Sequence, residues 1–113
     1  MMHEMKLQKD YYNYILNGTK RIEIRLYDEK RQQIKIGDTI KFSKEPELNE
    51  HFEAKVIGLL RYSNFDDLLN DFDISLLADK KMTKKELIST LEQFYTKEEQ
   101  KKYGVIGIRL ELM

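Results

Sequence analysis

The most regular pattern in the chain lies in its first third and reads Gly18-Thr19-Lys20-Arg21-Ile22-Glu23-Ile24-Arg25-Leu26-Tyr27. Polar and apolar residues alternate strictly from Arg21 onward, which is typical of a β-strand with two different faces. The apolar residues Ile22, Ile24 and Leu26 are expected to face the core. Glu23 and Arg25 then share the opposite face. The carboxylate either pairs with the guanidinium structurally or presents it to a ligand.

Lys20 precedes this strand and has the same parity as the core-facing Ile22. A charged lysine is costly to bury. We therefore expect Lys20 to lie in the bend after Gly18 and to point to solvent or into a cleft. The alternative interpretation is that Lys20, Glu23 and Arg25 form a structural ion-pair set at the end of a strand.

Helical and strand patterns continue on both sides of this segment. A helix is predicted over residues 8–17, where apolar residues recur at helical spacing and Asn17-Gly18 is a suitable C-cap. Asn64 and the capping boxes that begin at Thr83 and Thr96 predict further helices. Strands are predicted over residues 20–27, 38–43, 53–61 and 103–112. The third of them should be buried on both sides, because it is apolar on both parities.

This order of elements predicts an α+β fold. The chain of 113 residues is long enough for one domain and too short for two, so residues 1–113 are taken as a single domain. A closed or nearly closed small β-barrel flanked by helices is the simplest arrangement, since closure removes sheet edges. Five isoleucines from different strands are expected to be buried together: Ile22, Ile24, Ile40, Ile106 and Ile108. Ile106, Ile108, Leu110 and Leu112 of the last strand should face inward.

The charge is balanced overall but unevenly distributed. The formal net charge is zero, yet residues 6–44 carry +5, residues 45–79 carry −7 and residues 80–113 carry +3. Neutrality alone argues weakly against a nucleic-acid binder. A basic first third beside an acidic middle can still offer an anionic ligand a positive cleft.

Several classes of site are disfavoured by composition. There are no cysteines, which excludes disulfides and thiolate metal sites. His3 and His51 are isolated, so no metal-ligand spacing exists and neither a metal nor a cofactor is predicted. The N-terminal residues lack the apolar run of a signal peptide, and no segment approaches the length of a membrane span. We expect a cytoplasmic protein without a membrane partner.

The segment Gly18-x-Lys20-x-x-Glu23-x-Arg25 resembles the GxKxxExR signature of the ASCH (ASC-1 homology) family. Its setting is similar too: the signature follows a helix ending in Gly and precedes a basic turn, and Gly37-Asp38 stands before the next strand. The final Tyr103–Ile108 segment resembles the close of small prokaryotic members. The resemblance implies a PUA-like β-barrel with a cleft beside the signature. It also implies a role in RNA binding, linked to RNA processing or translation.

The candidate ligand-binding residues follow from the signature and its neighbours. Lys20, Glu23 and Arg25 belong to the signature, and Tyr27 shares the parity of Arg25. Lys30-Arg31 lies in the adjacent turn, where it can contact phosphate. Other tyrosines suited to stacking on a base are Tyr11, Tyr12, Tyr62, Tyr95 and Tyr103. The expected partner is RNA or a nucleotide.

Two other functions remain open at this stage. The first is a small hydrolase acting on a modified nucleoside, because one branch of the resembled family hydrolyses acetylated cytidine with a Lys, a Thr and a Glu. Lys20 matches that lysine, but Glu23 stands in place of the threonine and Lys80-Lys81 where the acid is expected. No catalytic residue is assigned; an enzyme of a different kind would use Lys20 and Glu23. The second is a protein-interaction module, which the neutral charge favours.

Overall fold

A computed structural model describes residues 1–113 as five β-strands and five α-helices. The strands are β1 (Met2–Leu7), β2 (Ile22–Leu26), β3 (Thr39–Lys44), β4 (His51–Tyr62) and β5 (Val105–Leu112). The helices are α1 (Lys9–Leu16), α2 (Phe65–Asp71), α3 (Ile74–Leu77), α4 (Lys84–Phe94) and α5 (Lys97–Tyr103). A short 3₁₀ turn covers Arg31–Gln33.

All five strands form one sheet in the order β1-β3-β4-β5-β2. β1 pairs with β3 in parallel, and the other pairs are antiparallel. The sheet curls into a half-barrel with β1 and β2 at its two edges, and helices flank it. This confirms the predicted α+β class and the PUA-like architecture, in a half-barrel form.

The element boundaries agree with the sequence patterns at most positions. The helix predicted over residues 8–17 is α1, and Gly18 follows its C-cap with a positive φ of 88°. Asn64, Thr83 and Thr96 cap α2, α4 and α5 through their side chains, the last two as full capping boxes. β1 was not predicted, because its six residues MHEMKL are mostly polar and only Met5 and Leu7 are buried.

The predicted single cluster of isoleucines is wrong, because the sheet buries both of its faces. Ile40, Ile106 and Ile108 lie in one core, which α1 covers with Tyr12 and Ile15. Ile22 and Ile24 lie in a second core, formed with α2, α3 and α4 on the other face of the sheet. The assignment of the β2 side chains to two faces was correct. The face that carries Glu23 is also covered, however, and Glu23 is only 5% exposed.

Two details of β4 and β5 also differ from prediction. β4 is not buried on both sides, since Ile57 is 41% exposed next to an irregularity in the pairing between Val56 and Gly58. Leu112, expected to face inward, is 42% exposed at the end of β5. None of the five helices combines the length and the unbroken apolar sequence that a bilayer crossing requires.

Asp38, which immediately precedes β3, connects the start of β3 to β1. Its carboxylate accepts hydrogen bonds from His3 Nε2 at 2.8 Å and from the backbone N–H of Lys35 at 3.0 Å. The hydrogen bond from His3, followed by that from Lys35, lowers the pKa of Asp38 to about 2. A carboxyl whose pKa is lowered by folding stabilises the native state above its unfolded pKa and loses that contribution on acidification.

We therefore predict that Asp38→Asn lowers the free energy of unfolding at neutral pH. The difference from the wild type should shrink as the pH falls from the unfolded pKa of about 3.9 and vanish only below the folded pKa of about 2, where the wild-type carboxyl is also protonated. Urea unfolding of both proteins across this pH range measures it. A difference that stays constant down to pH 2 would show that the Asp38 charge does not hold β1 to β3.

Candidate functional site

The bend after α1 delivers the chain directly into β2. Gly18 adopts the left-handed φ that ends α1, and the backbone N–H of Lys20 then donates to Tyr14 O at 3.0 Å. The N–H of Arg21 donates to Leu76 O of α3 at 2.9 Å. The start of β2 is thus tied to α1 on one side and to α3 on the other, which fixes the signature residues in the middle of the domain.

Lys20 is buried within this bend. Its side chain is 2% exposed, and its Nζ donates to Ile22 O at 2.5 Å and to Leu77 O at 2.6 Å. The Glu23 carboxylate lies 3.3 Å from the same nitrogen. Three acceptors match the three protons of an ammonium group. Lys20 was expected to point to solvent or into a cleft. It does not reach solvent, because backbone carbonyls and Glu23 replace its hydration, but it lines the cavity described below.

Glu23 joins the two basic residues of the signature. One of its carboxylate oxygens faces Lys20, and the other accepts from Arg25 Nε at 2.7 Å. Arg25 Nη2 also donates to the backbone oxygen of Lys6 at 2.8 Å. Because Lys6 lies on β1 and Arg25 on β2, this hydrogen bond connects the two edge strands of the half-barrel. Lys20, Glu23 and Arg25 are called the signature triad below.

The electrostatics of the triad follow from its burial. Burial lowers the pKa of Lys20 below its ordinary value, although Glu23 opposes this change. Burial alone would raise the pKa of Glu23, but Arg25 and then Lys20 outweigh it and hold that pKa below its ordinary value. Glu23 is therefore ionised at neutral pH. With both bases protonated, two positive charges surround one negative charge, and the triad carries a net charge of about +1.

The triad forms one side of a cavity of about 190 Å³ at the seam between β1 and β2. The walls come from the ends of β1 and β3, from α1 and β2, and from α3 and α4. The residues that line it are Lys6, Leu7, Gln8, Tyr11, Lys20, Glu23, Ile24, Arg25, Glu45, Leu77, Leu87, Thr90, Leu91, Phe94 and Tyr95. This space is called the seam cavity.

The seam cavity combines a charged floor with aromatic walls. Tyr11 lies over the Lys20 ammonium, with 5.7 Å between Nζ and the ring centroid. Tyr95 lies beside the Arg25 guanidinium and, after Glu23, helps to raise the pKa of Arg25 against the effect of burial. Phe94 is 55% exposed at the rim. The arrangement can hold a flat ring between aromatic side chains and present hydrogen-bond donors to its polar edge.

The structure does not bring the other predicted site residues to the seam cavity. Tyr27 packs against the core on the α1 side of the sheet, and the Arg61 guanidinium stacks on its ring at 4.2 Å. Arg31 pairs with Asp28 at 3.1 Å in the 3₁₀ turn, and Lys30 is exposed beside it. None of the three lines the cavity. Their assignment as ligand-binding residues stays a prediction.

Sequence reasoning missed the contribution of α3 and α4. Leu77, Leu87, Thr90, Leu91 and Phe94 complete the wall of the seam cavity. The signal in the sequence for this wall was the run of apolar residues in α4. Tyr11 and Tyr95 were predicted only as members of a larger set of tyrosines, and the structure selects these two for the cavity.

Comparison with known proteins agrees with this geometry. The ASCH domain family model matches residues 5–113. The chain is 41% identical to hypothetical protein PH0355, whose crystal structure aligns over the full length of both chains with a TM-score of 0.88. It is 35% identical to protein PF0455 from Pyrococcus furiosus, solved by NMR in solution, which aligns over 100% of this chain and 98% of that one with a TM-score of 0.79. No curated protein matches the chain significantly.

The curled sheet, its helical layer and the cavity beside the signature strand define a PUA-like domain, a fold generally associated with RNA binding. Within that class the chain belongs to the ASCH domain family. The resemblance carried by Gly18, Lys20, Glu23 and Arg25 is confirmed.

Glu23→Gln should destabilise the protein strongly, because it leaves two buried cations without a counter-charge. We expect a loss of about 3–5 kcal/mol in the free energy of unfolding. Glu50→Gln is the matched control: Glu50 pairs with Lys44 at 2.6 Å but is 60% exposed, so its loss should cost less than about 1 kcal/mol. Denaturant unfolding of the three proteins gives both values. Equal small losses would mean that the triad charges are not buried as described.

Proposed function

We propose that this protein binds RNA or a nucleotide by enclosing one base in the seam cavity, and that it acts in RNA processing or translation in the cytoplasm. The observation that carries the proposal is the pairing of the Arg25–Glu23 floor with the aromatic walls Tyr11 and Tyr95. RNA-binding domains recognise unstacked bases with this combination, stacking on the ring and hydrogen bonding to its edge.

The size of the cavity supports one base as its occupant. Pockets for drug-sized ligands span about 300–1,000 Å³, whereas the seam cavity encloses about 190 Å³. A single ring system with its substituents suits this space, and an oligonucleotide does not. The remaining nucleotides of a strand would lie outside, past the exposed rim at Phe94.

Charge supports an electron-rich ligand. When Lys20 is protonated, the signature triad leaves a net positive charge at the floor, where the low dielectric strengthens its attraction for a carbonyl oxygen or a phosphate. Arg25 uses Nε for Glu23 and Nη2 for Lys6. Nη1 is the remaining guanidinium nitrogen, and we assign it to the ligand. Glu23 orients the guanidinium and is positioned to accept from a base amino group.

Arg25→Ala should weaken the binding of RNA and of free nucleotides by about 1–3 kcal/mol, because it removes the donor at the cavity floor. Phe94→Ala should weaken binding by about 1–3 kcal/mol through lost stacking, and its exposed position makes it neutral for folding. Isothermal calorimetry with the four nucleoside monophosphates and with a short single-stranded RNA measures both.

Lys55→Ala is the control for these variants. Lys55 is exposed on β4 and does not line the cavity, so its removal should leave affinity unchanged. Unchanged affinity in both Arg25→Ala and Phe94→Ala would leave the triad as a structural ion-pair set. The chain would then fit better as a protein-interaction module, the alternative that its zero net charge favours.

The triad does not favour the hydrolase alternative. Lys20 Nζ donates to two backbone carbonyls and faces Glu23, so no lone pair or free proton is presented to a substrate. We predict no multiple-turnover release of cytidine from acetylated cytidine, measured by chromatography against a protein-free control. Turnover by the wild type that disappears in Lys20→Ala would show that Lys20 leaves its carbonyl partners during a reaction.

A further inference from the structure

A second and larger depression lies on the opposite side of α4 from the seam cavity. It encloses about 1010 Å³ and runs between the end of β4, the start of α2, and α4 and α5. Its lining residues are Arg61, Tyr62, Ser63, Asn64, Phe65, Asp66, Ile88, Glu92, Lys97, Gln100, Lys101, Lys102, Tyr103 and Gly104. This surface is called the α5 groove.

The charged residues of the α5 groove are unequally paired. Of its two carboxylates, Asp66 is neutralised by Lys84 at 3.1 Å, whereas Glu92 keeps its negative charge and only accepts a hydrogen bond from the neutral Gln100 amide at 3.2 Å. The basic side chains have no carboxylate within salt-bridge distance, and all of them are exposed: Arg61, Lys97, Lys101 and Lys102. The groove therefore presents a surplus of unneutralised positive charge, although the chain as a whole is neutral.

The groove is also held in a fixed shape. Gln100 is buried, and its side chain accepts from the backbone N–H of Phe65 at 3.2 Å while it donates to Glu92. One side chain of α5 is thereby bonded to α2 and to α4. The Arg61 guanidinium is stacked on Tyr27 at 4.2 Å, and the Lys102 ammonium lies 5.0 Å from the centroid of the Tyr103 ring. Cations placed on aromatic rings lose less freedom when an anion binds.

α4 is the common wall of the two sites. It contributes Ile88 and Glu92 to the groove and Thr90, Leu91 and Phe94 to the seam cavity. A chain that places one base in the cavity therefore has a basic trough on the far side of the same helix. The repeating negative charge of a phosphate backbone matches a groove with several unpaired cations, as in other proteins that track single strands.

We propose that the α5 groove binds the phosphate backbone of the single-stranded RNA whose base occupies the seam cavity. Lys97, Lys101 and Lys102 contact the phosphates, and the groove supplies affinity without reading sequence. The proposal rests on the proposed function of the seam cavity and adds to it: the ligand is a strand of several nucleotides and not a free nucleotide.

The test compares two triple variants that remove the same amount of charge. Lys97, Lys101 and Lys102 are replaced by Ala in the groove variant. Lys35, Lys55 and Lys81, exposed lysines that line neither site, are replaced by Ala in the control variant. Binding of a labelled single-stranded RNA of about eight nucleotides is followed by fluorescence anisotropy at about 50 and about 200 mM salt. Nucleoside monophosphates are titrated in parallel, and thermal melting verifies that both variants are folded.

The groove variant should bind the RNA at least about tenfold more weakly at the lower salt. The magnitude of its slope of log affinity against log salt should also fall by about 2, because each of the three lost phosphate contacts contributes about 0.7 to that slope. Its affinity for monophosphates should match the wild type. The control variant should stay within about twofold for both ligands.

Other results overturn the proposal in distinguishable ways. In one such result, the groove variant binds RNA as tightly as the wild type while Phe94→Ala loses monophosphate binding. That result would contradict the role of the α5 groove and would still support base binding in the seam cavity. Equal losses in the groove and control variants show an effect of net charge alone. If polyglutamate displaces the labelled RNA as effectively as unlabelled RNA does, the groove is better assigned to an acidic protein partner. Binding of neither ligand by the wild type overturns both proposals.

Discussion

The buried carboxylate of Glu23 is the group on which this structure most depends. Two cations, Lys20 and Arg25, lie against its two oxygens, and both would be uncompensated without it. Through Arg25 the same group is linked to Lys6, and so β2 is linked to β1 across the open side of the half-barrel. A buried ion triad is expensive compared with apolar packing. In the proposed function the triad has a second role, because its Arg25 guanidinium donates to a ligand in the cavity that opens at this seam.

Local patterns were sufficient to predict most elements of the fold. The alternation around Ile22 and the capping residues Asn64, Thr83 and Thr96 act within a few residues of themselves, so the sequence displays them directly. The division of the core into two layers could not be predicted. Parity separates the two faces of a strand, but it does not reveal which elements cover each face. Here α1 covers one face, and α2, α3 and α4 cover the other. β1 was missed because its pattern is short and largely polar.

The site was only partly predictable, for a similar reason. Glu23 and Arg25 are two residues apart, and their pairing follows from strand geometry alone. The burial of Lys20 depends on Leu77 O, a carbonyl 57 residues away in the chain. The cavity walls from α4 and the basic groove form only when distant segments of the chain pack together. For example, the antiparallel pairing of β4 with β5 places Arg61 opposite Ile106, which follows α5 closely in the chain. Nothing local to Lys97 distinguishes it from a solvated lysine.

Entry of a base into the seam cavity can be followed by NMR titration of isotope-labelled protein with nucleoside monophosphates. The largest chemical-shift changes are expected at the Arg25 side-chain Nε–H and at the backbone amides of Tyr11 and of residues 90–95, with saturation at a common affinity. Shifts confined to the outer faces of β3 and β4, or no saturable shifts at all, would contradict entry of a base.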